Sequence, residues 1–292
     1  MPKEFRKVAL IGKYQTPEVA DALSTLVDFL CRRGVDVLVE AGTARTAGNC
    51  GCAVAEYDEI GTSANLAIVV GGDGTMLHAA RRLAGFGVPL VGVNQGRLGF
   101  MTDIARQDML SGIDDLLAGK FVRERRFLLD AEVCRDGDRI YHTRALNDIV
   151  VNKGEAGRMI ELEVKVDDEL IYVLRADGLI IATPTGSTAY ALSANGPILH
   201  PAVPGIAVVP LCPHALSNRP ITISDSCRID ISLVPPHEGG IHFDGQDRCD
   251  GRGGDVVRIS RSPLALTLLH PPGYSYFSML REKLHWSATP RH

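Results

Sequence analysis

The chain has 292 residues, of which 45% are hydrophobic and 23% charged, and its net charge is −4. This composition is that of a globular protein large enough for two domains, and the charge excludes a general attraction to nucleic acid or anionic membranes. The sequence contains no apolar run of about 18 residues and no signal-peptide pattern at its start, which predicts a cytoplasmic protein. Its 7 scattered cysteines form no Cys-x-x-Cys pair and favour reduced thiols over a structural zinc site.

Strands and helices alternate in the N-terminal part of the chain. Residues 7–12 and 35–40 are predicted strands, and apolar residues at helical spacing between them predict a helix. Residues 41–64 are rich in small side chains and predict a weak helix or a loop. Strands at 66–70 and 89–93 and an amphipathic helix at 108–118 continue the pattern. The alternation predicts a Rossmann-like α/β domain with a mainly parallel sheet, which binds ligands beyond the carboxyl ends of its strands.

A glycine-rich turn, Gly-Gly-Asp-Gly-Thr at 71–75, follows the strand at 66–70. Thr75 is the predicted N-cap of a helix at 76–83. Backbone N–H groups at such a helix start suit phosphate oxygens, and Asp73 can approach a substrate hydroxyl or a metal ion. The turn alone leaves phosphate binding and an ordinary Asp-Gly turn equally open. Its spacing excludes a P-loop and the G-x-G-x-x-G dinucleotide fingerprint.

From about residue 120 the pattern changes to short alternating strands. Segments at 125–135 and 139–152 are joined by Asp136-Gly137, a hairpin signal, and the arginines at 123, 125 and 126 are interpreted as a solvated strand start. Further strands are predicted at 161–166, 170–174, 179–182, 206–209, 227–234, 256–260 and 264–269. The sequence therefore predicts an α/β domain at 1–122 and a β-rich, largely antiparallel domain at 123–270. The tail at 271–292 is expected to pack back on the first domain.

A second dense motif covers residues 177–193. An apolar strand runs into Thr-Pro-Thr-Gly-Ser-Thr at 183–188 and then into a short helix. This turn presents neutral donors to phosphate or ribose oxygens, although a capped helix after a tight turn explains it equally well. Two strand-to-helix turns of this kind in one chain favour a large polyphosphate ligand.

Four motifs, in this order, resemble those of bacterial NAD kinases. They are Gly-Gly-Asp-Gly-Thr at 71–75, Leu-Asn-Asp-Ile-Val at 146–150, the stretch at 177–190, and Pro-His-Ala-Leu-Ser at 213–217. The diacylglycerol and sphingosine kinases share the first motif alone. The resemblance implies an enzyme that transfers the γ-phosphoryl group of ATP to the 2′-hydroxyl of the adenosine ribose of NAD, giving NADP. A lipid kinase of the diacylglycerol type and a non-catalytic NAD-binding sensor are the alternatives.

The resemblance also implies roles for single residues. Asp73 is expected to accept the proton of the ribose hydroxyl or to anchor a cation, and Gly74 to lie against the same ribose. Asp148 stands where the family more often has a glutamate, so its carboxylate is one methylene shorter. The further residues expected to bind NAD are Asn147, Asp148, Arg158, Arg175, Asp177, Thr188, Ala189, Tyr190, Ala191, Leu192, Ser193 and Gln246. Donor phosphates are expected at Gly71, Gly72, Thr75 and His78.

ATP is the expected phosphoryl donor, with inorganic polyphosphate as the open alternative, and the sequence does not decide between NAD and NADH as acceptor. Mg²⁺ is the expected divalent cation, and no protein ligand is assigned to it. Members of the family form homodimers or homotetramers, which is the expectation for this chain. No nucleic acid or membrane is expected as a partner.

Overall fold

The computed structural model describes residues 5–12, 17–47, 51–96, 99–154 and 158–286. The chain forms two compact units, the first built from 1–125 and 265–292 and the second from 126–264. The second unit is thus inserted into the sequence of the first. The fold class predicted from the sequence is confirmed, because the N-terminal part has a mainly parallel sheet and the later part an antiparallel one. The domain limits of 1–122 with 271–292 and 123–270 stay predictions.

The first unit contains a parallel sheet. Its strands are β1 (Lys7–Gly12), β2 (Asp36–Glu40), β3 (Ala53–Ala55), β4 (Leu66–Val70), β5 (Leu90–Asn94) and β6 (Ile104–Ala105). They pair in the order β3-β2-β1-β4-β5, with β6 beside β5. Helices α1 (Pro17–Arg32), α2 (Ala41–Ala47), α3 (Tyr57–Ser63), α4 (Asp73–Leu83) and α5 (Met109–Leu117) connect them. Helix α1 buries its apolar face (Val19, Leu23, Leu26 and Leu30) in the same core as β1 and β4.

Residues 41–64, predicted as a weak helix or loop, instead form α2, β3 and α3. The start of α2 is explained by the last residue of β2. The buried Glu40 carboxylate accepts hydrogen bonds from the backbone N–H of Gly42 (2.8 Å) and of Thr43 (2.7 Å), which satisfies first-turn donors. Sequence reasoning missed this cap because the glutamate belongs to a strand, outside the usual Ser/Thr/Asp/Asn capping set.

The second unit is built almost entirely of antiparallel strands. In chain order they are β7 (Val122–Arg135), β8 (Asp138–Ala145), β9 (Asp148–Asn152), β10 (Ile160–Val166), β11 (Glu169–Ala176), β12 (Gly178–Ala182), β13 (Gly205–Leu211), β14 (Ile221–Ser224), β15 (Ile229–Leu233), β16 (Gly239–Phe243), β17 (Asp247–Gly251) and β18 (Val256–His270). The first four residues of β7 and the last six of β18 belong to the first unit. A 6-stranded sheet has the order β14-β13-β12-β9-β16-β17. The other strands pair as β11-β10-β15-β18 and as the β7–β8 hairpin. Among its described residues this unit has one short α-helix, α6 (Tyr190–Ser193), preceded by a 3-10 turn at Gly186–Thr188.

The 6-stranded sheet is buried on both faces where it carries the second motif. One face of β9 and β12 (Ile149, Val151, Leu179 and Ile181) joins a core with residues of β10 and β15. The other face (Val150 and Ile180) packs with Ala191 of α6 and with Leu199. Strands buried on two sides read as continuous apolar runs, which is the pattern seen at 178–182.

Several predicted strand limits were wrong. The strand at 139–152 is two strands, because the backbone N–H groups of Leu146 and Asn147 bond to the Asp244 side chain and leave the ladder. The strands at 256–260 and 264–269 are one, β18. Strands β14, β16 and β17 were not predicted. They are short and polar or glycine-rich, so their apolar alternation is weak.

The end of the described chain returns to the first unit. Leu268 of β18 pairs in parallel with Leu90 of β5. Helix α7 (Tyr276–Leu284) follows, with Ser275 as its N-cap. Tyr276, Met279 and Leu280 are buried. Among the described residues, no helix combines the length and the apolar character needed to cross a bilayer.

Candidate active site

Helix α4 begins at Asp73, three residues earlier than predicted, and Gly72 is its N-cap in place of Thr75. The Thr75 side chain is not the cap because it lies over Gly71, where a Cβ would meet Thr75 Oγ1 at 2.6 Å. Gly71 is buried and its N–H donates to the Val93 carbonyl at 2.9 Å, which joins the turn to β5. The turn thus leads directly from the end of β4 into α4, with an acidic side chain in the first helical turn.

The Asp73 carboxylate is held by a loop at 99–102, between β5 and β6. Oδ2 accepts the backbone N–H of Phe100 at 2.8 Å, and Oδ1 accepts that of Met101 at 2.9 Å. The Thr102 hydroxyl lies 3.4 Å from Oδ1 and accepts a hydrogen bond from the Asn94 amide at 3.0 Å. With one amide on each oxygen, the carboxylate has a fixed direction and keeps further lone pairs for a ligand.

A cavity of about 290 Å³ lies beside the start of α4. It takes in the ends of β1 and α3 as well as the turn, and its lining residues are Ile11, Gly12, Tyr57, Gly72, Gly74, Thr75 and His78. The His78 ring meets that of Tyr57 edge-on, with centroids 5.7 Å apart. Backbone N–H groups at a helix start and a mostly apolar wall suit a phosphorylated ligand. Four residues expected to touch phosphate or ribose, Gly72, Gly74, Thr75 and His78, thus share one cavity.

In the second unit, Asp244 organises the segment at 146–148. Its carboxylate accepts hydrogen bonds from the backbone N–H of Leu146 (2.8 Å), Asn147 (2.7 Å) and Asp148 (3.0 Å). Asp244 can do so because it lies at a positive φ of 55°, at the turn between β16 and β17. Leu146 and Asn147 therefore have a defined backbone although they belong to no strand, and Asp148 begins β9.

The Thr-Pro-Thr-Gly-Ser-Thr turn is bonded to that same segment. Thr183 donates its backbone N–H to the Asn147 carbonyl (2.9 Å) and its hydroxyl to the Leu146 carbonyl (2.5 Å). Arg126 donates to the Thr185 hydroxyl at 3.1 Å and is only 4% exposed. The interpretation of Arg126 as a solvated strand start was therefore wrong. Its guanidinium is buried against the turn and bonded to it.

A cavity of about 370 Å³ brings these elements together. It is lined by Asn147, Asp148, Val150, Asn152, Ala189, Tyr190, His242, Asp244 and Gly245. Four of the residues predicted to bind NAD, Asn147, Asp148, Ala189 and Tyr190, are among them. Among the described residues, Asn147 Oδ1 is buried without a hydrogen-bond partner, which marks an acceptor that a ligand donor can satisfy.

Two titratable groups of this cavity, Asp148 and His242, have pKa values shifted towards their neutral forms. Burial, reinforced by the neighbouring Asp244 carboxylate, raises the pKa of Asp148 to about 7. Burial, with the charge of Arg248, lowers the pKa of His242. Near pH 7 the cavity therefore offers a carboxyl that is both donor and acceptor, beside a neutral imidazole.

Other predicted residues lie elsewhere in the second unit. Arg158 and Arg175 are exposed, and Asp177 forms an ion pair with Lys153 at 2.8 Å. Thr188 donates its hydroxyl to the Thr185 carbonyl at 3.1 Å, while Ala191 is buried in the core below α6. Leu192 is half-buried, and Ser193 and Gln246 are exposed. The structure does not bring these residues to the cavity at Asp148.

Sequence reasoning missed His242, Asp244 and Asn152 in this cavity and Tyr57 in the other. For Asp244 a signal existed, since Asp-Gly between alternating residues indicates a hairpin turn. For His242, Asn152 and Tyr57 the sequence has no local signal, because strand pairing and helix packing between distant segments place them there.

Comparison with known proteins gives matches over nearly the whole chain. Residues 8–121 match the family model of the ATP-NAD kinase N-terminal domain, and residues 146–270 match that of the C-terminal domain. The NAD kinase of Azoarcus sp. (strain BH72) is 61% identical over 293 residues, with 100% of both chains covered. The NAD kinase of Aromatoleum aromaticum is 62% identical, covering 100% of this chain and 97% of its own.

Solved structures give the same picture for the fold. The yeast NADH kinase complexed with NADH has a TM-score of 0.92 at 24% identity, covering 99% of this chain and 90% of its own. The NAD kinase from Archaeoglobus fulgidus in complex with ATP has a TM-score of 0.77 at 23% identity, covering 96% of this chain and 98% of its own. At these identities the likeness concerns the fold.

Proposed function

The chain belongs to the ATP-NAD kinase family, and from that membership we propose how its residues carry out the phosphorylation of NAD by ATP. The γ-phosphoryl group of ATP passes to the 2′-hydroxyl of the adenosine ribose, and Asp73 receives the proton of that hydroxyl. The observation that supports this role is the Asp73 carboxylate itself, directed by the amides of Phe100 and Met101 at the start of α4.

A ribose hydroxyl is a weak nucleophile near neutral pH because it holds its proton. As the bond from the 2′-oxygen to the γ-phosphorus forms, the bond to the β–γ bridging oxygen breaks and ADP leaves. The hydroxyl proton moves to a carboxylate oxygen of Asp73, a contribution of about 10²–10⁴-fold for a positioned base. The remaining acceleration comes from alignment and from neutralising phosphate charge.

The cavity beside α4 supplies donors for that charge. The N-terminal end of α4, where the helix macrodipole is positive, lies at this cavity, and Gly72 and Gly74 of the turn line it. Gly72 has open space where a Cβ would lie, so a phosphate oxygen can approach its backbone. We assign Gly72, Thr75 and His78 to the donor phosphates on this basis, and Gly74 to the ribose. Gly71 is assigned to the donor phosphates on the family resemblance alone, because its N–H is donated to the Val93 carbonyl.

Mg²⁺ fits the donor set if most of its ligands come from the substrate. Within the described residues, no three or more His, Cys, Asp or Glu side chains form a ready cation site. The Asp73 carboxylate oxygens, which keep free lone pairs, would hold the ion. Phosphate oxygens and water would complete its coordination shell. When bound, Mg²⁺ supplies neutralisation of the triphosphate charge.

The acceptor is proposed to bind at the cavity of the second unit. The buried Asn147 Oδ1 accepts an N–H donor of NAD, and Asp148, with its pKa near 7, both donates and accepts. The exposed ring of Tyr190 offers a stacking surface for a base. Arg158, Arg175, Asp177, Thr188, Ser193 and Gln246 are proposed to contact NAD on the strength of the family resemblance.

The test is Asp73→Asn, measured by a coupled assay of NADP formation with NAD or NADH as acceptor and ATP or polyphosphate as donor. We expect kcat to fall by about 10²–10⁴-fold, because the amide cannot take the proton, while NAD still binds. Asp58→Asn, on an exposed face of α3, is the control and keeps its turnover. An Asp73→Asn variant with most of its kcat would rule out both the base and the cation-anchor role.

Location and assembly are proposed on sequence grounds. Cys31, Cys134, Cys212, Cys227 and Cys249 are free thiols, which agrees with the reducing cytoplasm. The homodimer or homotetramer typical of the family is proposed for this chain. Equilibrium sedimentation of the purified protein measures its state directly.

A further inference from the structure

A buried ion pair joins the end of β18 to the loop beside Asp73. His270, the last residue of β18, is 1% exposed, and its Nδ1 lies 2.8 Å from Asp103 Oδ2. The Asp103 side chain is itself 9% exposed. The pair lies entirely within the first unit, and the reaction described above does not use it.

Three groups surround the imidazole. Asp103 faces Nδ1, Glu124 Oε1 lies 3.6 Å from Nε2, and the Tyr274 ring stacks on the imidazole at 3.8 Å with an interplanar angle of 9°. Burial lowers the pKa of His270, but the hydrogen bond to Asp103 and the negative charges of Asp103 and Glu124 outweigh it, so that the pKa is raised above 6.5. The ring therefore carries a proton on Nδ1, and this N–H donates a hydrogen bond to Asp103.

Asp103 ends the loop that directs the Asp73 carboxylate. The residue directly before it is Thr102, which contacts Asp73 Oδ1, and the loop amides of Phe100 and Met101 occupy both carboxylate oxygens. The opposite side of the loop packs against β5, where a Cβ on Gly92 would meet the Met101 carbonyl at 2.7 Å. The loop is thus fixed by β5 on one side and by the His270–Asp103 pair at its end.

We propose that His270 is a positioning residue for the phosphoryl transfer: by holding Asp103, it fixes the loop at 99–102 whose amides direct the Asp73 carboxylate. This inference rests on the proposed role of Asp73 as the proton acceptor. Stability alone is a poor explanation for the pair, because replacing a buried ion pair with apolar groups of similar volume is often neutral for stability. A hydrogen-bonded Asp103 at the end of the loop does, in contrast, fix the position of the loop amides that direct the Asp73 carboxylate.

The experiment compares His270→Asn with His270→Leu. The amide N–H of asparagine lies where Nδ1 lies and can still donate to Asp103, whereas leucine cannot. We expect His270→Leu to lower kcat by about 10²-fold at unchanged KM for NAD and ATP, the size of effect that a misplacement of about 1 Å produces. His270→Asn is expected to recover at least tenfold of that loss. Hydrogen exchange of the backbone amides of residues 100 and 101 should be faster in His270→Leu than in the unaltered protein, and unchanged in His270→Asn.

Arg135→Gln is the control, because it removes the charge from a partly buried ion pair of the same length, Arg135–Asp255 at 2.8 Å, in the second unit. It is expected to change thermal stability and to leave kcat and the exchange at 100 and 101 as they were. If His270→Leu does not fold, His270→Gln replaces it, since the glutamine amide reaches towards Glu124 and not towards Asp103. The proposal is overturned if His270→Asn has the same kcat as His270→Leu (or as His270→Gln where that replaces it). It is also overturned if the loss of activity lies in KM and not in kcat.

Asp73→Asn is assayed beside these variants so that two failures can be told apart. If it turns over like the unaltered protein, the proposed role of Asp73 is wrong, whatever His270 does. If Asp73→Asn loses turnover while His270→Leu keeps it, only the inference about His270 is wrong.

Discussion

At the scale of single residues, the Asp73 carboxylate depends on the absence of a side chain at residue 99. A Cβ added to Gly99 would overlap Asp73 Oδ1 and the Thr102 hydroxyl. The carboxylate therefore lies against the Gly99 backbone, and glycine is required for a close approach and not for an unusual φ.

Gly99→Ala is expected to lower kcat by about 10²-fold, because the methyl group displaces the carboxylate from its direction. Steady-state assay of NADP formation measures the effect. Gly96→Ala is the control from the same connection, since nothing lies within 4 Å of the Cβ it would add. A Gly99→Ala variant as active as Gly96→Ala would show that the carboxylate needs no fixed position.

The sequence indicated Asp73 as the acidic group, but not what holds it. A lone acid in a glycine turn is visible as a pattern. The Phe100 and Met101 amides that bind it are not, because backbone donors leave no signature in side-chain identity. Asp244 is the same case: it binds three amides about 100 residues earlier in the chain, a pairing that no local pattern predicts.

At the scale of elements, two segments that belong to no strand, 146–147 and 183–188, contact each other in the second unit. Gly186, in the Thr-Pro-Thr-Gly-Ser-Thr turn, lies so close to the Asn147 carbonyl that a Cβ would overlap it. Thr183 bonds to the same carbonyl at 2.9 Å. The position of Asn147 is therefore set by the turn at 183–188 as much as by its own segment.

Gly186→Ala is expected to raise KM for NAD by about tenfold or more, because it pushes Asn147 away from the cavity while α4 and its cavity are unchanged. Measured kcat at saturating NAD should fall less than the ratio kcat/KM. Gly205→Ala on β13 is the control, since the nearest atom to its added Cβ is a side-chain methyl of Thr222 at 3.0 Å. An unchanged KM for Gly186→Ala would contradict the assignment of Asn147 to NAD.

Elements with strong periodicity were predictable, and those defined by tertiary hydrogen bonds were not. The strands at 7–12 and 66–70 agree with the structure because continuous apolar runs reflect burial on both faces. The start of α4 was misplaced, since its cap is a glycine without a side-chain hydrogen bond. The break at 146–147 was missed because a side chain from β16's turn causes it.

At the scale of the whole molecule, ionisation of the buried Asp148 carboxyl lowers the free energy of unfolding as the pH rises. The pKa of this carboxyl is raised from 3.8 to about 7, so between these values the folded protein binds more protons than the unfolded chain. Its contribution to the free energy of unfolding therefore falls across this window. At 1.36 kcal/mol per pH unit, the cost above pH 7 is at most about 4 kcal/mol.

Asp148→Asn should remove that cost, because the amide stays neutral. We expect the variant to match the unaltered protein in free energy of unfolding near pH 4 and to exceed it by up to about 4 kcal/mol at pH 8. Urea unfolding at several pH values measures the difference. The exposed Asp138→Asn provides the comparison, and a difference for Asp148→Asn that does not grow with pH would contradict the raised pKa.

The insertion of the second unit into the first has a consequence for biosynthesis. A ribosome releases Asp73 and its turn early, but the strand end bearing His270 and helix α7 emerge only after all of residues 126–264. A nascent or prematurely terminated polypeptide that stops at residue 264 therefore lacks the imidazole that bonds to Asp103. If His270 positions the loop at 99–102 as proposed, such a polypeptide is expected to bind NADP-forming substrates without turning them over at the full rate.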